Sequence, residues 1–283
     1  MKQIAIASGK GGVGKTSLAA AFASFSNAIF ADCDVDASNL PLIFKPEIIE
    51  KIDFYGMDVA KVDESKCIKC MECYNSCMYD AITEEIEIIE EKCEGCGVCE
   101  FVCPTDAITM VRRKSGEVYV SKSRFGWIVH AELMPGEETS GKLVSVVRQK
   151  AMEIAKKNGY ETIIIDASAG IGCPVIASIT GVNLVVIVVE PTMAAIHDMM
   201  RIIEVAKHFN VPYVVCINKY DLNEEKAKEI EKFCMENNIA IVGKIPYDEA
   251  FTKAIVEGKN IVEYDERMAS LIKKIWENVE GKI

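Results

Sequence analysis

The chain begins with an apolar run, "QIAIAS" (3–8), then the glycine-rich "GKGGVGK" (9–15), then the helix-forming "TSLAAAFASF" (16–25). A buried strand, a glycine-rich turn and a helix in that order form the context in which a loop cradles phosphate. Glycines let successive backbone N–H groups point inward at phosphate oxygens. The helix N-terminus adds its partial positive charge at the same place. On this reading Gly9, Gly11, Gly12, Val13, Gly14, Lys15, Thr16 and Ser17 surround the phosphates. Lys15 reaches the β- and γ-phosphates, and Thr16 offers its hydroxyl to Mg²⁺. A turn without a ligand would not need Gly9, Gly14, Lys15 and Thr16 together.

Further apolar runs follow, among them "LVVIVV" (184–189), "VPYVVCIN" (211–218) and "IAIVGKIP" (239–246). They alternate with helical stretches such as "AAIHDMMRIIEVAKHF". Repeated alternation of strand and helix predicts an α/β fold with a mostly parallel sheet and helices on both faces. The 283 residues suffice for one large core and a small second domain.

The detail that sharpens this reading is Lys10, a second lysine directly after Gly9. The loop then resembles the deviant Walker A sequence, K-G-G-x-G-K-[ST], of the MinD/ParA/Mrp ATPases and the nitrogenase iron protein. The resemblance implies ATP as ligand and a nucleotide-dependent homodimer. It assigns Lys10 to the partner's nucleotide, across the dimer interface. "AIFADCDVDASNLP" (28–41) reads as a strand ending in Asp32 and Asp34. Carboxylates at the C-terminal end of a strand face the ligand crevice of an open α/β sheet. The segment resembles switch I of that family, which implies that Asp34 positions the attacking water and Asp32 approaches Mg²⁺. "ETIIIDASAGIG" (161–172) reads as a strand ending in Asp166 and resembles Walker B and switch II. Asp166 would then act on Mg²⁺ through water, and the Gly170 N–H would sense the γ-phosphate. The family's usual proline-containing stretch is replaced here by "ASAG". Asn218, in "NKYD", matches the family's adenine-contacting asparagine. The same four residues fit the N-K-x-D pattern by which GTPases read guanine, with Asp221 as acceptor.

Between these motifs the composition changes. Eight of the twelve cysteines fall between positions 67 and 103. They form two arrays, Cys67, Cys70, Cys73, Cys77 and Cys93, Cys96, Cys99, Cys103, the second followed by Pro104. The spacing C-x2-C-x2-C-x3-C-P resembles the bacterial ferredoxin pattern for [4Fe–4S] ligation. Zinc motifs instead separate two C-x2-C pairs by a long spacer. In two-cluster ferredoxins the fourth cysteine of each array ligates the other cluster. The resemblance therefore assigns Cys67, Cys70, Cys73 and Cys103 to one cluster. Cys93, Cys96, Cys99 and Cys77 go to the second. The flanks "SCMYDAIT" (76–83) and "VCPTDAIT" (102–109) mark an internal repeat of about 26 residues, each half a loop, a short helix and a strand. Met78 stands where the second half has Pro104.

The expected organisation is an ATPase domain over 1–58 and 114–283, interrupted by an α+β ferredoxin-like domain over 59–113. That insert carries 12 acidic and 6 basic side chains, a surface suited to steering a basic partner. Of the remaining cysteines, Cys33, Cys216 and Cys234 read as packing residues. Cys173 precedes Pro174, which suits a first helical turn. It reads either as a small turn residue or as a thiolate at a helix N-terminus. The nitrogenase iron protein carries a cluster-ligating cysteine at the matching offset.

Net charge of −11 argues against nucleic acid as the main partner. No run of about 18 apolar residues occurs, so no membrane span is expected. The opening residues leave no room for a signal peptide, and the cysteines suit metal rather than disulfides, so a reducing cytoplasm is the expected location. "RMASLIKKIWENV" (267–279) places Met268, Leu271, Ile272, Ile275 and Val279 on one helical face, expected to pack on the core. MinD uses such a helix on membranes, but mixed Lys and Glu on the polar face suit anionic lipid poorly.

Three functions fit these features. One is an ATPase that couples nucleotide state to electron transfer, or to metallocluster maturation of a client protein. Another is a MinD/ParA-like positioning or partner-recruiting ATPase with structural clusters. The third is a GTPase-type metallochaperone.

Overall fold

In the computed structural model, residues 1–35, 38–137 and 139–283 are described. The elements run β1 (Lys2–Ser8), α1 (Lys15–Phe22), β2 (Ala28–Cys33), α2 (Leu40–Phe44), β3 (Glu47–Val62), α3 (Glu72–Ser76) and α4 (Val98–Phe101). Next come β4 (Ile108–Ser123), β5 (Gly126–Leu133), α5 (Ser140–Asn158), β6 (Thr162–Ala169), α6 (Cys173–Ile179), β7 (Leu184–Val189) and α7 (Met193–His208). The chain closes with β8 (Tyr213–Asn218), α8 (Glu224–Glu236), β9 (Ile241–Ile245), α9 (Ala250–Val256), α10 (Ile261–Tyr264) and α11 (Glu266–Glu280). The chain divides into two units.

The first unit comprises Met1–Lys51, Val118–Glu132 and Ser140–Ile283. Within it the strands run in the order β5-β2-β6-β1-β7-β8-β9, and β3 and β4 continue the same sheet from segments shared between the two units. β1 pairs in parallel with β6 and β7, β2 with β5 and β6, and β8 with β7 and β9. All six residues of β2 and all six of β7 are buried. Unbroken apolar burial of this kind needs cover on both faces, as a parallel sheet has. One core joins Leu18 and Phe22 of α1, Phe30 of β2 and Phe44 of α2 to Met268, Ile272, Ile275, Trp276 and Val279 of α11. Leu143, Val144, Val147 and Ala151 give α5 its own buried face. α5 packs on α6 and β2. The α/β P-loop architecture expected from the motifs is the one observed.

Two sequence expectations shift. β6 does not end at Asp166 but continues to Ala169, with a bulge in its pairing to β1 between Ile6 and Ser8. β2 ends at Cys33, so Asp34 lies just past the strand, and Asp36 and Ala37 of the quoted stretch fall outside the described residues.

The second unit comprises Ile52–Glu117 and Leu133–Thr139. Its small core holds Ala60, Cys73, Ile82, Ile86 and Ile108, with Cys67, Cys77, Cys93, Cys99 and Cys103 packed against it. The internal repeat is visible in the backbone. Left-handed φ occurs at Lys69, Met71 and Asp80, and again twenty-six positions later at Gly95, Gly97 and Asp106. Each half has its short helix, α3 and α4. The strand expected in each half is present only in the second, where β4 begins at Ile108. The first half has a single antiparallel bridge, Ile82 to Ile88.

Candidate functional site

The parallel strands of the first unit bring their C-terminal ends together, which is where ligands bind in open α/β sheets. After β1 comes the glycine loop. Gly14 has φ 95°, and a Cβ there would lie 2.3 Å from Asn218 Nδ2, so both backbone and space demand glycine. Lys15, Thr16 and Ser17 follow on α1. The loop lines a cavity of about 450 Å³ whose walls include Lys10, Gly11, Gly12, Lys15, Thr16, Asp34, Asn39, Leu42 and Ile255.

Lys15 is buried, and its ammonium lies 3.3 Å from Asp166 Oδ1 and 3.5 Å from Asp34 Oδ2. Burial works to lower its pKa, but Asp166, Asp34 and Asp32 outweigh that and hold it above the ordinary lysine value. Asp32 and Asp166 are register partners in adjacent strands, and both are fully buried. Burial and then the charge of Asp166 push Asp32 up to about 7, against bonds donated by the Ser38 hydroxyl and the Asp34 N–H and against the Lys15 charge. Asp32 Oδ1 accepts the Asp34 N–H, and Oδ2 accepts the Ser38 hydroxyl and the Leu40 N–H. Asp32 thus holds the turn that carries Asp34. Among the described residues, Asp166 Oδ2 is buried with no hydrogen-bond partner. A buried carboxylate oxygen so placed, in the strand beside the loop, fits a divalent cation.

Two of the assigned residues make hydrogen bonds within the chain. The Gly170 N–H, assigned to phosphate sensing, donates to the Ser8 carbonyl at 3.0 Å. Asn218, assigned to adenine, donates from Nδ2 to the Val13 carbonyl at 2.7 Å and accepts the Lys219 N–H at Oδ1. It braces the phosphate loop. Asp221, the residue that would read guanine, accepts the Tyr247 N–H at 2.7 Å. Sequence reasoning passed over Glu190, whose carboxylate pairs with both Lys10 and Lys219. An acidic residue directly after the buried run "LVVIVV" was the available signal, by the same strand-end rule that singled out Asp32.

In the second unit the eight array cysteines line two cavities. Cys67, Cys70, Cys73 and Cys103 line one. Cys77, Cys93, Cys96 and Cys99 line the other. Each set takes three cysteines from one array and the fourth from the other. Cys103 Sγ accepts the Ala107 N–H at 3.3 Å. Among the described residues, no group of three or more His, Cys, Asp or Glu is drawn together as a site for one metal ion.

The other cysteines are separate. Cys33, Cys216 and Cys234 are buried in the first unit. Burial pushes the Cys216 thiol up to about 12 and that of Cys234 to about 11, so neither forms a thiolate. Cys173 is the exposed first residue of α6. α11 turns Met268, Ile272, Ile275, Trp276 and Val279 into the core, with Leu271 packed at its margin. Trp276 joins the face read from sequence. Among the described residues, no helix is long and apolar enough to cross a membrane.

The model of the CobQ/CobB/MinD/ParA nucleotide binding domain matches residues 4–261. The uncharacterized protein MJ0578 of Methanocaldococcus jannaschii is 34% identical over 282 residues, covering 98% of this chain and 96% of its own. The septum site-determining protein MinD of Bacillus subtilis is 26% identical over 166 residues, covering 56% of this chain and 61% of its own. Among solved structures, the septum site-determining protein MinD complexed with Mg-ADP, from Pyrococcus horikoshii, superposes with a TM-score of 0.60. Its identity is 17%, and the match covers 98% of this chain and 95% of the other.

Proposed function

Because the chain belongs to the CobQ/CobB/MinD/ParA nucleotide-binding family, we propose that it is a MinD/ParA-type ATPase that acts as a nucleotide-dependent dimer on a partner protein. The observation that carries this is Lys15, buried beneath the glycine loop between Asp34 and Asp166. With a nucleotide bound, the phosphates replace those carboxylates as the lysine's partners. Thr16 and Asp166, with Asp32 beside them, would hold a magnesium ion, which would supply neutralisation of phosphate charge. Asp34 orients the attacking water, and Lys10 reaches the nucleotide of the partner copy. Adenine is favoured over guanine because the loop carries the second lysine, Lys10, of the deviant Walker A type.

A finer reading concerns the second unit. The division of eight cysteines into two sets of four, each with one cysteine exchanged between arrays, supports two [4Fe–4S] clusters. Clusters so held supply one-electron chemistry, and four thiolates each suit retention better than release. The ATPase then couples nucleotide state to electron transfer toward a client, or to maturation of the client's metallocluster.

One anaerobic preparation tests both levels. Magnesium-dependent ATP hydrolysis is expected, lost in Lys15→Ala and Lys10→Ala. An equal rate in Lys15→Ala would overturn the ATPase assignment. About eight irons per chain are expected. Iron-free, colourless protein that still hydrolyses ATP would remove the clusters and leave the partner-recruiting reading.

A further inference from the structure

Lys10 lies in the phosphate loop, yet its side chain turns back along its own chain. It is 52% exposed, and its ammonium stands 3.5 Å from Glu190 Oε1. Glu190 follows the last residue of β7 and is only 13% exposed. Its second oxygen lies 3.2 Å from Lys219 Nζ. Lys219 follows the last residue of β8 and also donates to the Gly12 carbonyl at 2.8 Å. One largely buried carboxylate therefore holds two ammonium groups of like charge. One belongs to the phosphate loop, and the other belongs to the segment that braces that loop through Asn218.

We propose that Glu190 is a positioning residue that keeps Lys10 on its own chain, so that closing the dimer requires breaking this pair. The inference rests on the dimer reading above. An ammonium paired with Glu190 is withdrawn from any phosphate of a second copy. ATP in the partner must therefore outbid Glu190 for Lys10. Lys219 sets how strong that competitor is, because it shares the same carboxylate. Removing the charge of Glu190 frees Lys10. Removing the charge of Lys219 leaves Glu190 to Lys10 alone and tightens the hold. The two changes act in opposite directions, which general loss of structure at the loop would not produce. Pairs this exposed are weak, so the change expected is about two- to five-fold for each lysine released.

The test measures the ATP concentration for half-maximal dimerisation of the full-length chain, by light scattering with magnesium. Glu190→Gln is expected to lower it and Lys219→Met to raise it. Lys219→Arg, which keeps the charge, should stay near the unaltered protein and guards against misfolding of the Met variant. An unchanged or higher midpoint for Glu190→Gln overturns the proposal while leaving the dimer reading intact. If the unaltered protein stays monomeric at every ATP concentration, the dimer reading fails and this inference falls with it.

Discussion

Asn218 shows what a single residue can and cannot tell in advance. Its place at the end of β8 was legible, because an apolar run followed by a polar residue marks a strand leaving the core. Its work was not, because the partner of Nδ2 is a carbonyl 205 positions away in the chain. His130 is a parallel case on β5. It is buried, stacked on Tyr119, and its Nε2 lies 3.1 Å from the Ser121 hydroxyl. Nδ1 is buried without a partner among the described residues. Burial lowers its pKa to about 4 from the ordinary 6.5. The unfolded chain then takes up the proton first as pH falls, so the folded state loses stability. This contribution is full above about pH 6.5 and lost on descending toward about pH 4. Thermal melts between pH 7 and 4.5 should show a steeper decline for the unaltered protein than for His130→Gln, and equal slopes would contradict the assignment.

At the level of elements, local pattern and tertiary packing agree most closely in α11. Its apolar spacing marks one face, and that face is buried. Each such side chain contributes about 1.5–3 kcal/mol on leaving water, so this face is committed to the core and not offered to lipid. α10 depends on one side chain. Asn260 is 2% exposed and closes a capping box with Glu263. Its Nδ2 donates to the Ala20 carbonyl at 3.0 Å and to the Ser24 hydroxyl at 2.9 Å, tying α10 to α1. Asn260→Ala removes a cap and buried hydrogen bonds together, and about 2 kcal/mol of destabilisation is expected in urea unfolding. A loss below about 0.5 kcal/mol would mean that α10 is held by packing alone. Strand β3, and the extension of β4 to sixteen residues, were not anticipated. Their charged and polar residues break the alternation by which a strand is recognised.

Across the whole molecule, charge divides unevenly. The second unit has seventeen acidic and seven basic side chains, net −10 of the chain's −11. The first unit is close to neutral. Self-repulsion opposes compaction of a small unit so charged. Salt should relieve it, since the screening length falls from about 10 Å at 0.1 M to about 3 Å at 1 M. Limited proteolysis at 0.1 M sodium chloride is expected to cut first within 52–117, and this cleavage should slow at 1 M. Cleavage at the same rate in both would show that specific ion pairs, such as Arg113 with Glu137, already compensate the charge.

By itself the sequence determined the phosphate loop, the alternating strands and helices, and the two cysteine arrays. Each is a short-range pattern, written in neighbouring residues whose backbone preferences and spacing suffice. Only the tertiary structure decided that Lys10 meets Glu190, that Asn218 braces the loop and that Gly170 bonds to Ser8. Those pairings join residues up to 205 positions apart, and they exist because the order of strands in the sheet sets which chain ends become neighbours.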